Sequence, residues 1–119
     1  MFSLFKSKAN TMNVRKVDDS FAVTGQITPE QVQSVSDAGY KSIVCARPDN
    51  EEQGQPSFNE VARAAETLGL QIVHIPVSGG LGEGQIIRFH DAWKKMPKPM
   101  LGYCRSGARA GSLYATLSK

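Results

Sequence analysis

The residues with the clearest capacity for chemistry lie near the end of the chain, in Cys104-Arg105-Ser106-Gly107-Ala108-Arg109. The thiolate is the reactive form of cysteine, and a free thiol ionises near about 8.5. Here the cysteine follows an apolar run, Met100 to Tyr103, and a helical segment begins near Arg109. A sulfur at the mouth of such a loop meets unpaired backbone N–H groups and the positive end of a helix dipole, and both favour negative charge. Gly107 has no Cβ, so the backbone can curl into a concave nest of donors. Arg105 and Arg109 add fixed positive charge. The expected product is an anion cradle formed by Arg105, Ser106, Gly107, Ala108 and Arg109. Cys104 lies at its base as nucleophile, and Arg109 is its catalytic partner, binding the donor anion.

Other residues are candidates for the same site. Arg47 opens a polar loop that should reach the same sheet edge, where it could line the anion site. Glu83 and Asp49 are candidate general acids, because a phosphoryl leaving oxygen needs a proton. Cys45 is a candidate resolving thiol that would protect Cys104 from over-oxidation; the competing reading is a small buried apolar residue. His74 sits in an apolar strand and reads as core, and His90 beside Asp91 reads as exposed. Neither has metal-ligand spacing, so no metal is expected, and no cofactor. Phe89 and Trp93 read as core rather than as a cofactor platform.

These residues must be positioned by a regular framework. Val14–Val17 and Phe21–Thr24 are short strand candidates around a turn at Asp18-Asp19-Ser20. A helix to about Ala38 follows, with Thr28 as cap, Pro29 in the first turn and Gln31 completing a capping box. Val32, Val35 and Ala38 give it an apolar face, and Gly39 stops it. Ser42–Ala46 is a short, almost wholly apolar strand of the kind buried in parallel sheets. Ser57 caps a second helix with Glu60 three residues on; Val61, Ala64, Ala65 and Leu68 form its stripe. Leu70–Val77 is another strand, leading to the Gly-rich loop of residues 78–84. A third helix carries Ile86, Phe89 and Trp93, and Pro97 and Pro99 end it. The strand Met100–Tyr103 and a last helix close the order. Such alternation implies a single α/β domain, a mostly parallel central sheet with helices on both faces. Ligands in such sheets sit beyond the carboxyl ends of the strands, which draws attention to the loops at 47–56, 78–84 and 104–109.

Composition bounds the remaining choices. The chain has 119 residues, 14 Lys+Arg against 11 Asp+Glu, and two cysteines. That length suits one domain, here residues 13–119 after a loose lead-in at 1–12, and is enough for a core without disulfide staples. No apolar run is long enough to span a bilayer, so no membrane partner is expected. The first residues lack a signal-peptide pattern, and with two cysteines this points to reduced thiols in a cytoplasm. Residues 94–119 carry six basic side chains and no acidic one. That end favours a small anionic substrate. Nucleic acid is not expected, since there is no aromatic-basic interleaving and no zinc or RNA-binding signature.

The Cys104 loop resembles the active-site loop of rhodanese-type sulfurtransferases. Over residues 13–118 the chain resembles the phosphatase-like domain of the beta-lactamase-hydrolase-like family. Val23-Thr24-Gly25-Gln26, Arg47-Pro48-Asp49, Ile75-Pro76-Val77 and the Cys104 loop carry that likeness. It implies a compact phosphatase-like α/β domain with a cysteine nucleophile. Relatives are described as sulfurtransferases or as phosphatase-like proteins, some fused to a metal-dependent sulfur dioxygenase, for which this chain has neither room nor a His cluster.

Tyrosine and dual-specificity phosphatases share the layout but carry Cys-x5-Arg, usually followed by Ser or Thr. Here the spacing is Cys-x4-Arg, followed by Ala110. A tighter loop leaves less room for a tetrahedral anion and suits a single added sulfur. Sulfur transfer also needs no acid: the thiolate takes up a sulfane sulfur, and the anionic persulfide rests on loop N–H groups and Arg109. The first expectation is therefore a sulfurtransferase passing thiosulfate or persulfide sulfur to a thiol acceptor. The alternative is a phosphatase working through a Cys104 phosphoenzyme, and the second alternative is a non-catalytic anion- or sulfide-sensing module.

Overall fold

The computed structural model of the chain describes residues 12–117. The expected lead-in at 1–12 lies outside them apart from Met12. Five strands, β1 (Arg15–Lys16), β2 (Phe21–Thr24), β3 (Ser42–Cys45), β4 (Gln71–His74) and β5 (Met100–Tyr103), form one sheet in the order β1-β2-β5-β3-β4. All neighbours pair parallel except the β1–β2 hairpin. Asp18 fixes that hairpin: its Oδ1 accepts the N–H groups of Ser20 and Phe21 at 2.8 and 3.0 Å, a local turn that Asp side chains favour.

Alternating side chains divide the sheet between two cores. Phe21, Val23 and Val44 face one side, against helices α3 (Glu83–Lys95) and α4 (Ala108–Ala115). Ala22, Ile43, Cys45, Leu101 and Tyr103 face the other, against α1 (Val32–Asp37) and α2 (Phe58–Thr67). Helices thus cover both faces, as the alternation of elements implies.

Local signals placed most boundaries. Thr28 and Gln31 form the reciprocal capping box, at 3.2 and 3.0 Å, and Ser57 and Glu60 form another, at 3.1 and 2.8 Å. Three details differ from expectation. The first turn after Thr28, Pro29–Gln31, is a 3-10 turn and α1 starts at Val32. The apolar stripes stop short of their last members, for Ala38 and Leu68 are exposed. The fourth strand ends at His74 rather than Val77. Pro76 has no N–H to give a ladder, although Ile75 and Val77 still donate to the carbonyls of Cys45 and Ala46, at 2.9 and 3.0 Å.

β5 is central, and Gly102 lets the layers close on it. A Cβ there would stand 2.7 Å from Phe21 Cζ, 2.9 Å from Ala110 Cβ and 3.3 Å from Val44 Cγ1. Ala110 and the α4 turn that follows the nucleophile loop can lie this close to the sheet only because position 102 is bare. Gly102→Ala is therefore expected to overpack the core and lower stability by about 1–3 kcal/mol, measured by urea unfolding.

Candidate active site

The C-terminal ends of the four parallel strands share one edge of the sheet, and β5 leads there into the Cys104 loop. Cys104 continues straight out of the strand, its N–H on the Thr24 carbonyl at 3.4 Å. The chain then turns through Gly107, whose φ of +97° is left-handed, and enters α4. Such a φ costs glycine nothing and other residues a great deal. The turn folds the backbone N–H of Gly107 onto the Cys104 sulfur at 3.0 Å.

Cys104 is 0% exposed. Burial alone pushes its thiol up, but the N–H groups of Ala110, Ser106, Arg109 and Gly107 act together on the sulfur and bring it below the ordinary value. The cradle of N–H groups is therefore present, with membership slightly shifted. Ala110 joins it, and the Ala108 N–H goes instead to Ser106 Oγ at 3.2 Å. Arg105 is exposed and lies outside the set of donors.

Arg109 is held flat by two partners. Its terminal nitrogens form a two-pronged pair with the Glu51 carboxylate, at 2.7 and 3.0 Å, and one of them also donates to the Val77 carbonyl at 2.7 Å. Glu51 in turn accepts from Arg47 Nε at 2.9 Å. Hydrogen bonds from Arg109 and then Arg47 hold the Glu51 carboxyl down to about 2. Fork-to-carboxylate pairing of this kind fixes orientation as well as charge. Arg47 is 2% exposed and its other nitrogens reach Glu52 and Gln26, at 3.1 and 3.0 Å. It does not line the anion site as expected: its guanidinium is spent behind Glu51, where it supports Arg109 at one remove.

The remaining candidates fall elsewhere. Asp49 Oδ1 accepts the Phe58 N–H at 2.8 Å at the start of α2, and the groups its charge acts on are Cys45 and Tyr103, in the core opposite Cys104. Glu83 is exposed in the first turn of α3. Neither carboxylate is bonded to the cradle. Cys45 and Cys104 are both free thiols. Cys45 packs in the α1–α2 core, is bonded to the Arg47 carbonyl at 3.5 Å, and burial pushes its thiol up. The sheet lies between the two side chains, so the structure does not bring them together as a resolving pair. His74 rests on the Arg47 carbonyl at 2.8 Å and stacks on Phe58. His90 is half-buried on Thr116 rather than exposed.

Two residues escaped sequence reasoning. Glu51 is 58 positions from Arg109 in a loop of ordinary polar character, and no spacing marks it. Arg15 reaches the site through the β1–β2 hairpin: its guanidinium lies 3.3 Å from where a Cβ on Gly107 would be.

Two measurements follow from these charges. A carboxyl held at about 2 against an ordinary 4.5 adds stability that is fully present above the ordinary value and is lost as pH falls towards the lower one. The stability gap between wild type and Glu51→Gln, from urea unfolding, should be constant above about pH 5 and shrink steadily at lower pH. Iodoacetamide labelling read by mass spectrometry should show Cys104 half-reacted below the ordinary thiol value and Cys45 above it.

The model for the phosphatase-like domain of beta-lactamase hydrolase-like proteins matches residues 13–119. A beta-lactamase hydrolase-like protein from Agrobacterium fabrum is 35% identical over 104 residues, which cover 87% of this chain and 24% of that protein. The chain therefore spans about a quarter of that relative's length. A candidate phosphatase from Neisseria meningitidis has a similar structure, with a TM-score of 0.79 and 29% identity over 87% of this chain and 75% of its own. The core catalytic domain of the PP-IP phosphatase Siw14 from S. cerevisiae, at 17% identity, shares the fold with a TM-score of 0.64, over 84% of this chain and 60% of its own. The family match and the likeness to the Neisseria protein support the phosphatase alternative better than sulfur transfer. By the match over residues 13–119 and the identity to its relatives, the chain belongs to the family of phosphatase-like domains of beta-lactamase hydrolase-like proteins.

Proposed function

We propose that this domain is a cysteine-dependent phosphatase acting on a small anionic phosphate ester. The observation that carries the reading is the Cys104 sulfur, buried at the base of a ring of backbone N–H groups, on a fold shared with cysteine phosphatases. The same donors that favour a thiolate suit the equatorial oxygens of a phosphoryl group, whose charge rises towards the transition state.

The sequence of events uses this chain's own groups. The phosphoryl oxygens take the loop N–H groups and the N–H groups of Arg109 that Glu51 leaves unoccupied. The thiolate electron pair forms an S–P bond while the P–O bond to the leaving group breaks, and the departing oxygen takes its proton from water. A water then attacks phosphorus, the S–P bond returns its pair to sulfur, and the water's proton passes to solvent. Glu51, with Arg47 behind it, keeps the Arg109 fork in the plane that meets two phosphoryl oxygens. With neither Asp49 nor Glu83 bonded to the cradle, the scheme favours leaving groups that depart readily as anions.

Sulfur transfer from thiosulfate or a persulfide to a thiol acceptor is the second reading, favoured by the short Cys-x4-Arg spacing. It uses the same sulfur, so the two are separated by assay. Steady phosphate release from an aryl phosphate is expected, falling by at least about a thousandfold in Cys104→Ser. Arg109→Lys keeps the charge but loses the fork, and should cost about tenfold or more in kcat/KM. Thiocyanate formation from thiosulfate and cyanide, with an added sulfur on Cys104 and no phosphate release, would replace the reading by sulfur transfer. Anion binding without either turnover would leave a sensing module.

A further inference from the structure

A cavity of about 370 Å³ lies beside the Cys104 loop, at the end of β2, walled by polar residues Asn13, Thr24, Gln26, Gln31 and Arg105 together with Gly25 and the apolar Met12. It shares a wall with the cradle. A Cβ on Gly25 would stand 2.9 Å from the Arg105 carbonyl oxygen, and the Thr24 carbonyl holds the Cys104 N–H. Its side chains are mostly prearranged. Gln26 Oε1 accepts from Arg47 at 3.0 Å and its amide donates to the Ile27 carbonyl at 2.8 Å. The Gln31 carbonyl oxygen is held by the Thr28 N–H in the capping box. Arg105 differs from Arg47 and Arg109. Arg47 and Arg109 are committed to carboxylates, whereas the exposed Arg105 guanidinium has no bond to any group among the described residues.

The lining dictates the chemistry of what would fit. Amides and a threonine exchange hydrogen bonds with hydroxyl groups. One uncommitted guanidinium pairs with a second anion, best with a phosphate or carboxylate that accepts two parallel bonds. Among the described residues no aromatic side chain lines the cavity, so none of them would stack on the ring of a phosphotyrosine. The volume suits a small molecule and not a folded partner.

Given the phosphatase reading, on which the substrate assignment rests, we propose that this cavity is a second-anion subsite. A polyhydroxylated substrate would place its reacting phosphoryl group in the Cys104 cradle and a further phosphate on Arg105, its hydroxyls meeting Asn13 and Gln26. Arg105 would then set substrate choice rather than take part in bond breaking.

Binding tests this without requiring turnover. Calorimetric titration of the Cys104→Ser protein with fructose 1,6-bisphosphate, fructose 1-phosphate and inorganic phosphate compares two anions on a polyol with one. The bisphosphate is expected to bind about tenfold tighter than the monophosphate, and adding Arg105→Ala should abolish that advantage while leaving the affinity for inorganic phosphate unchanged. Arg105→Lys should restore part of it. Equal affinity for the two sugar phosphates, or an advantage that survives Arg105→Ala, would overturn the subsite. A fall in affinity for all three ligands alike would also overturn it, since Arg105 would then act only through the general potential. Wild-type phosphate release from an aryl phosphate is measured beside these titrations. Its absence would defeat the phosphatase reading, while the binding comparison would still decide whether the second-anion site exists.

Discussion

A sulfur anion held out of water needs its charge met by fixed dipoles, and the loop that follows β5 aims its N–H groups at one sulfur. Burial by itself works against the Cys104 thiolate. The N–H groups of Ala110, Ser106, Arg109 and Gly107 reverse the balance because the backbone turns through a left-handed Gly107 and aims them at one point. Those donors would otherwise be the orphans of the α4 N-terminus. The site thus turns an obligation of helix geometry into an anion site, at no cost in extra side chains.

The turn is only as exact as its supports. β5 lies between β2 and β3, so Cys104 emerges from the central strand of the sheet. Gly102 lets Ala110 approach that strand, and Gly25 lets the end of β2 lie against the Arg105 carbonyl. Two glycines far apart in sequence therefore set the height and the tilt of one loop. Behind the loop, the series Arg109, Glu51, Arg47, Gln26 runs from the nucleophile loop through the polar loop after β3 to the end of β2. It ties together the segments that follow three neighbouring strands, β5, β3 and β2. A change in any member reaches Arg109 as a change of orientation before it is a change of charge.

Features set by short spacing are legible in the sequence, and those set by distant contacts are not. Capping boxes at Thr28 and Ser57 and the glycine stops were legible because they are local: donor and acceptor are three residues apart. The nucleophile loop was legible for the same reason, since strand, cysteine, glycine and helix are contiguous. Choosing between phosphoryl and sulfur chemistry was harder. The Cys-x4-Arg count alone inclines towards sulfur, whereas the likeness to phosphatases in fold and family inclines the other way.

By itself the sequence marked the cysteine loop, the alternation of strands and helices, and the sheet edge at which that loop lies. These depend on residue type and short spacing. The tertiary structure alone decided which charges meet: that Arg47 is buried behind Glu51 instead of facing an anion, that Cys45 lies across the sheet from Cys104, and that Arg15 joins the loop. The physical reason is common to all three. Side-chain direction depends on strand register and on loop closure over tens of residues, and a shift of one residue in register sends a side chain to the opposite face.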